Sequence, residues 1–537
     1  MTDTLHLLEK HFDTAFAAPD GVKKLRELIL TLAMQGKLVP QDPNDEPASE
    51  LLKKIEAEKE RSIQEGKLKK SQPLPEIKSE EIPYDLPEGW EWVRLGEITN
   101  YNGRIKVNDK INPETWLLDL EDIEKDTSRI IYRAKYSERQ SKSTKSIFKK
   151  GDVLYGKLRP YLNKVIVADR DGICSTEIVP ITPFLDIDSD FIKWCMKRPY
   201  FLFYINKIMY GVKMPRLGTE DALMSLHPLP PLAEQKRIVE KIDRLMTGCD
   251  ELEQKRSLRD QKRITVHTAA INRLLNSPED DGRAWQFIAQ NFKELYSTKE
   301  NITELRKAIL QLGVMGKLVP QDPNDEPASE LLKAIEVEKE RLIQDGKIKK
   351  SKLLPEIQPE EIPYDVPEGW EWVRLGKLFK VTSGKNLPKD KMINGYFPVF
   401  GGNGITGYHN EFNVERPTIV IGRVGYYCGS IHLTPNKAWV TDNAFITNYD
   451  ETRLDQNFVI WLLKTINLQA DKSATAQPVI SGTKIYTILV PLPPLAEQKR
   501  IVEKIDRLMA LCDQLEQHLE SATHQQTRLL QAVMAQV

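Results

Sequence analysis

Apolar residues recur at steps of four and three in two stretches of this chain, and that spacing predicts two long helices. From Ile238 the apolar positions fall at Ile242, Leu245, Cys249 and Leu252; a second series runs Ile501, Ile505, Leu508, Cys512, Leu515, Leu519 and Ala522, slips to polar Gln526, and resumes at Leu529 and Val533. A stripe kept over several heptads is a coiled-coil seam, which demands a partner helix. Each series follows PLPPLAEQ, where the prolines forbid helix until the chain has passed them. Helices of about 40 residues rising 1.5 Å per residue reach roughly 60 Å, long enough to hold two domains apart. Shorter stripes, Val22, Leu25, Ile29, Leu32 and Ile302, Leu305, Ile309, Leu312, predict incoming helices over 22–34 and about 284–315 as candidate partners. A charged helix is expected after each, capped near Asp45 and Asp325, with Pro47 and Pro327 in the first turn and Gly66 and Gly346 at the far end. The basic tails KLKKS (67–71) and KIKKSK (347–352) and proline-rich linkers come next.

These patterns are written twice. KLVPQDPNDEPASELL at 37–52 returns unchanged at 317–332, PEGWEWVRLG at 87–96 returns at 367–376, and PLPPLAEQKRIVEKIDRLM at 228–246 returns at 491–509. Residues 97–227 and 377–490, which the copies enclose, are unlike each other. Two copies make a pseudo-two-fold protein rather than a solenoid. Because the chain ends on the outgoing helix type and begins on the incoming one, a circular arrangement follows, with the termini beside each other at a junction equivalent to 276–284. A faint shared pattern lies beneath the divergent inserts. GDVLYGKLRPYLNK (151–164) aligns without gaps with PTIVIGRVGYYCGS (417–430), and STEIVPIT (175–182) aligns at the same offset with TDNAFITN (441–448). A short apolar strand followed by Gly156 and Lys157, or by Gly422 and Arg423, places a cation where the backbone approaches a ligand closely. DFIKWCMKRPYFLFYINK (190–207) and NFVIWLLKTINLQADK (457–472) match as helices, so each insert is expected to be a mixed α/β globule.

Composition narrows the class. The chain has 537 residues, 40% hydrophobic and 29% charged, enough for several cores. It has no apolar run of membrane-spanning length and a poor signal peptide, which points to the cytoplasm. Five scattered cysteines without a C-x-x-C pair argue against a disulfide framework and a zinc site. Net charge is −1, yet residues 97–227 carry 22 basic against 18 acidic side chains and 377–490 carry 12 against 8. Positive charge is therefore gathered in the inserts, most densely over 129–164, with eleven basic and two acidic residues. That is the footprint of a phosphate-backbone binder. Catalytic motifs are missing: GGNGITG (401–407) lacks the Lys-Ser/Thr of a phosphate loop, and neither H-E-x-x-H nor a methyltransferase N-P-P-F/Y or D-P-P-Y tetrad occurs. Asp152, Asp171 and Glu177 invite a nuclease reading, but no such cluster recurs in the second insert, where Asn443 stands in place of Glu177.

With LPEGW opening each insert, PLPPLAEQKRIVEKID closing it and K-L-V-P ending each incoming helix, the chain resembles the specificity (S) subunit of Type I restriction-modification enzymes over essentially its whole length. The resemblance implies two unlike mixed α/β (α+β) target recognition domains, separated by long antiparallel coiled-coil helices in a pseudo-two-fold, circular frame. It divides the chain into an N-terminal helical region (1–86), a first recognition domain (87–227), a coiled-coil helix (228–276), a central helical region (277–366), a second recognition domain (367–490) and a C-terminal coiled-coil helix (491–537). It implies that each domain reads one half of a split double-stranded DNA target, with half-sites about 10 bp apart if both lie on one face of the duplex. The helices then dock two methyltransferase (modification) subunits, and restriction subunits complete the enzyme. No cofactor belongs to this chain: S-adenosylmethionine, ATP and Mg are expected on the partners. In the first insert Lys157, Arg159, Tyr161, Asn163 and Lys164 are expected at the DNA, with Arg139, Lys142 and Lys145 on phosphates. In the second, Arg423, Tyr426 and Tyr427 are expected there, helped by Lys385, Asn403 and His409. Arg and Lys suit guanine edges and Asn suits adenine. A coiled-coil scaffold whose inserts bind proteins is the alternative, and the steep salt dependence of phosphate-driven binding separates the two.

Overall fold

The computed structural model describes residues 12–66, 68, 72–107, 111–139, 143–211, 213–276, 282–346, 353–466, 468 and 479–535. Contacts divide the chain into two units, Met1–Arg259 with Ala522–Val537, and Asp260–Ser521. The division cuts through the long helices, Leu232–Asn276 and Leu495–Met534, rather than falling at their ends.

In the first unit Ile238, Ile242 and Cys249 are buried and Leu245 and Leu252 half-buried, in one core with Val22, Leu25 and Ile29 of the incoming helix Gly21–Met34. Arg26 of that helix spans the seam to Asp250 (2.5 Å) and Glu253 (3.2 Å). The second unit repeats this. Ile501, Ile505 and Cys512 are buried, Leu508 and Leu515 half-buried, against Ile302, Leu305, Ile309 and Leu312, while Arg306 reaches Asp513 (2.7 Å) and Glu516 (3.2 Å). The partner of each seam is thus the incoming helix of its own unit. In the first unit the core also takes in the end of the chain, since Leu530 packs with Ala15, Phe16 and Leu28. In the second, His267 stands edge-on to Tyr296 at 5.2 Å.

The recurrent motifs recur because they meet. Glu234 of PLPPLAEQ accepts from Trp90 Nε1 of PEGW (2.9 Å) and from Gln41 Nε2 of KLVPQ (3.2 Å); Glu497 does the same for Trp370 and Gln321. Gln235 donates to the Pro230 carbonyl and accepts from the Asp188 amide that precedes an insert helix, as Gln498 does with Pro493 and Asp455. Buried Arg94 is held by the carbonyls of Pro75, Glu76 and Met224 and by Glu81; Arg374 is held by those of Pro355, Glu356 and Thr487 and by Glu361. Glu91–Arg94 pairs antiparallel with Leu226–Leu229, and Glu371–Arg374 with Leu489–Leu492. Each insert therefore leaves and re-enters the frame through adjacent strands.

Both inserts hold the same antiparallel four-stranded sheet. Its order is Thr99–Tyr101, Ile178–Pro183, Val153–Gly156, Val165–Val167 in the first, and Phe379–Ser383, Ala444–Tyr449, Ile419–Gly422, Ile431–Leu433 in the second. Their registers coincide: Gly156 faces Ile178 and Gly422 faces Ala444. The periphery differs. The first insert adds a five-stranded sheet containing Lys145–Phe148 and Gly172–Ser175, the second a three-stranded one containing Phe397–Gly401 and Gly404–His409.

Two expectations need correcting. The incoming helix expected over about 284–315 is three helices, Arg283–Gln290, Phe292–Leu295 and Lys299–Val314. The last break is held by buried Asn301, whose amide donates to the Leu295 carbonyl (2.5 Å). The charged helices, Ala48–Gln64 and Ala328–Gln344, begin after Pro47 and Pro327 without a side-chain cap. Asp45 and Asp325 instead bind Arg237 (2.7 Å) and Arg500 (2.5 Å) of the long helices. Gly66 and Gly346 do close these helices, at φ of 68° and 69°. The basic tails lie outside the described residues except for Leu68. Among the described residues no helix is long and apolar enough to cross a membrane.

Candidate nucleic-acid interface

Lys157 and Arg423 follow the end of the sheet's inner strand, and the backbone holds both in the same cradle. The Lys157 amide donates to the Glu177 carbonyl and its own carbonyl accepts from Leu217; Arg423 bonds to Asn443 and Ile480 in the same way, all at 2.9 to 3.1 Å. Gly422 permits this, because a Cβ there would stand 2.1 Å from the Gly402 carbonyl oxygen; a Cβ on Gly156 would meet the movable tip of Leu120 at 2.8 Å and the Lys164 carbonyl oxygen at 3.3 Å. The Arg423 guanidinium lies over the Phe445 ring at 5.3 Å and donates to Ser383 Oγ at 3.3 Å, remaining partly exposed.

Around Lys157 the first insert gathers Arg159, exposed, and Tyr161, 43% exposed. Arg159 and Asn163 both lie in the left-handed region. Lys164 belongs to the same turn but points inward, its ammonium on the Leu120 carbonyl (2.7 Å), and burial lowers its pKa. Asn163 keeps its carbonyl in the interior as well. Farther off, Arg139 is paired bidentately with buried Asp122 (2.7 and 2.8 Å). Lys145 is 2% exposed, with its ammonium on Ser143. A lysine spent in this way is not presented to a phosphate, so the expectation for Lys145 is withdrawn; Lys142 lies outside the described residues.

In the second insert Tyr426 and Tyr427 are 74% and 54% exposed and pack edge-on at 5.0 Å, directly after Arg423. Asn403 is exposed at the tip of the hairpin Phe397–His409, and Lys385 is exposed with its backbone tied to Val440 and Trp439. His409 is buried: its ring accepts from the Ile393 amide and lies against Trp439, so it is a core histidine rather than a surface contact.

Sequence reasoning passed over residues 210, 211 and 213–216. Their backbone pairs with the turn, the Pro215 carbonyl accepting from Arg159 and Leu158 bridging Arg216. The loop so tied to Leu158 and Arg159 carries exposed Tyr210, Lys213 and Met214. Aromatic and basic residues interleaved around Gly211 and Pro215 were the available signal. The acids that invite a nuclease reading are separately engaged: Asp152 with Arg104, Asp171 with Lys149, Glu177 with Arg216. Among the described residues no group of three or more His, Cys, Asp or Glu could hold a metal ion, and all five cysteines are buried free thiols.

Each insert thus offers cations and exposed tyrosines at one strand end, chemistry suited to phosphates and base edges. The sequence pattern of the Type I restriction modification DNA specificity domain matches residues 87–259 and 367–523. The chain is 36% identical to the Type I restriction enzyme EcoAI specificity subunit of Escherichia coli, over 96% of this chain and 93% of that one. It is 34% identical, with the same coverage, to the EcoEI specificity subunit of Escherichia coli. A solved chain from work on complex assembly and conformational transition of the type I R-M system shares the fold, with a TM-score of 0.50 and 21% identity over 84% of this chain and 98% of that one. The chain belongs to the Type I restriction-modification specificity-subunit family, whose work is sequence-specific DNA recognition.

Proposed function

We propose that each insert domain reads one half of a two-part, asymmetric DNA target, and that the frame helices dock two methyltransferase subunits. In this reading the chain itself is non-catalytic. S-adenosylmethionine, ATP and Mg serve partner subunits, which methylate adenine or, as restriction subunits, cut DNA.

One observation carries the reading: the same four-stranded sheet and the same backbone cradle present Lys157 in one domain and Arg423 in the other, amid unlike peripheral sheets and unlike loops. A shared platform with different surroundings suits two readers of unrelated half-sites, whereas identical surroundings would suit a palindrome.

The test is an exchange of residues 97–227 for the corresponding insert of a relative, followed by sequencing of methylated adenines in cells that also carry the methyltransferase. One half of the target is expected to change while the other half and the spacer stay. A swap that alters both halves together defeats the two-reader proposal.

A further inference from the structure

Seven described residues other than glycine have positive φ, and four of them lie in two adjoining segments of the first insert domain: Asp126 (61°), Ser128 (60°), Arg159 (50°) and Asn163 (54°). Left-handed backbone is unfavourable for a residue with a Cβ, less so for Asp and Asn than for Ser and Arg, and persists where its surroundings over-determine it. The corresponding turn of the second domain avoids the problem, putting the positive φ on Gly425 (99°) and Gly429 (87°).

What holds the first domain's turn is a buried lysine. Lys197, the last residue of the helix Ser189–Lys197, is 6% exposed and donates to the Asp126 carbonyl (2.7 Å), Ser128 Oγ (2.6 Å) and the Asn163 carbonyl (3.2 Å). Ser128 Oγ donates its own proton to the Asn163 carbonyl (3.0 Å) and accepts from the Val165 amide (3.2 Å). The Asp126 amide donates to Leu162 (3.1 Å). Three ammonium protons therefore meet three oxygens, all on the two strained segments, and between Arg159 and Asn163 the chain displays Tyr161. Lys464, at the matching helix position of the second domain, lies instead over the Trp461 ring at 4.5 Å.

We propose that Lys197 is a positioning residue for DNA specificity in the first domain alone, holding the 157–164 turn, through Asp126, Ser128 and Asn163, in the conformation that presents Arg159 and Tyr161. This rests on the reading of the insert domains as DNA readers.

The clamp carries its own pH signature. Burial pushes the Lys197 ammonium down to about 7, with Lys193 on its own helix and Arg26 on the incoming helix acting in the same direction and Asp126 on the turn opposing them. The ammonium, with three N–H groups, prevails below that pH; the amine that replaces it as pH rises has two and leaves one oxygen unmet. An unfolded lysine stays charged up to its ordinary 10.5, so between the two values the unfolded chain binds the extra proton. This group's contribution to global stability then rises with pH. The turn is therefore expected to loosen over a range in which the same group does not weaken the fold.

The experiment uses the full chain assembled with its methyltransferase subunits on randomised duplex DNA, at about pH 6.5 and about pH 8.5. At the lower pH, Lys197→Met is expected to lose about tenfold in base discrimination at one half-site and nothing at the other. The wild type should drift toward that variant at the higher pH, and the variant should be flat. Lys464→Met should alter neither half. Wild-type preference at both half-sites in Lys197→Met, or broadening at both, overturns the proposal. If Lys197→Met does not fold, Ser128→Ala, which removes a clamp oxygen and no charge, decides by the same readings. Hydrogen exchange at residues 157–165 tests the clamp without DNA: faster exchange in the variant at the lower pH supports it, and unchanged exchange overturns it. A wild-type complex with no two-part preference would defeat the reading of the domains as readers and leave the exchange result to judge the clamp.

Discussion

Glu234 is buried, and burial raises its pKa, with Trp90 and Gln41 partly offsetting the rise through hydrogen bonds. A carboxyl with a raised folded pKa holds its proton more tightly in the native state, so its contribution to stability falls as pH climbs from the ordinary carboxylate range through the raised value. Glu234→Gln keeps an oxygen for Trp90 Nε1 and removes the titration; thermal unfolding at about pH 5 and about pH 7 is expected to show a smaller fall than in the wild type. Glu234→Ala leaves a buried indole N–H unpaired and is expected to cost about 1–3 kcal/mol in denaturant unfolding. At the strand ends, Lys157→Ala and Arg423→Ala are each expected to weaken recognition of their own half-site by about 1–3 kcal/mol if they read bases. Uniform weakening across all sequences, with a shallower salt slope, would reassign that side chain to a phosphate.

The long helices and their seams were legible because a four-and-three spacing depends only on neighbours along one helix. Burial adds a ranking that spacing alone lacks. Ile505 is 1% exposed whereas Leu515 is half-buried, so Ile505→Asp is expected to cost several kcal/mol and Leu515→Asp less, as chemical denaturation of the two variants would measure. Equal losses would mean that the seam is uniformly covered. The insert sheets were legible as far as the aligned strands 153–156 and 419–422, since short apolar runs ending in glycine mark buried strands. The basic run 129–164 misled for a physical reason. Its lysines look alike in sequence, but Lys145 sits in a strand whose partners, Lys106–Val107 and Gly172–Ser175, come from well-separated parts of the insert. No local pattern announces that such pairing will cover its side chain. Residues 210, 211 and 213–216 were missed likewise, because the pairing of Pro215 with Arg159 is a tertiary fact.

At the scale of the whole molecule, the repeated frame and the divergent inserts separate two duties, and the proposed function predicts that the purified chain transfers no methyl group from S-adenosylmethionine to DNA. Incorporation of labelled methyl by the chain alone would overturn that. DNA binding is expected to fall steeply with salt, as phosphate contacts require, and a flat titration would favour a protein-binding scaffold. The packing of Leu530 on Ala15 and Phe16 bears on a different matter, the order in which the protein is made. Those partners are separated by about 500 positions of chain, so this small core cannot close until the segment around residue 530 has been synthesised. Until then Phe16 and Leu28 have each other, Ala15 and Leu25 as neighbours but lack the cover that Leu530 supplies.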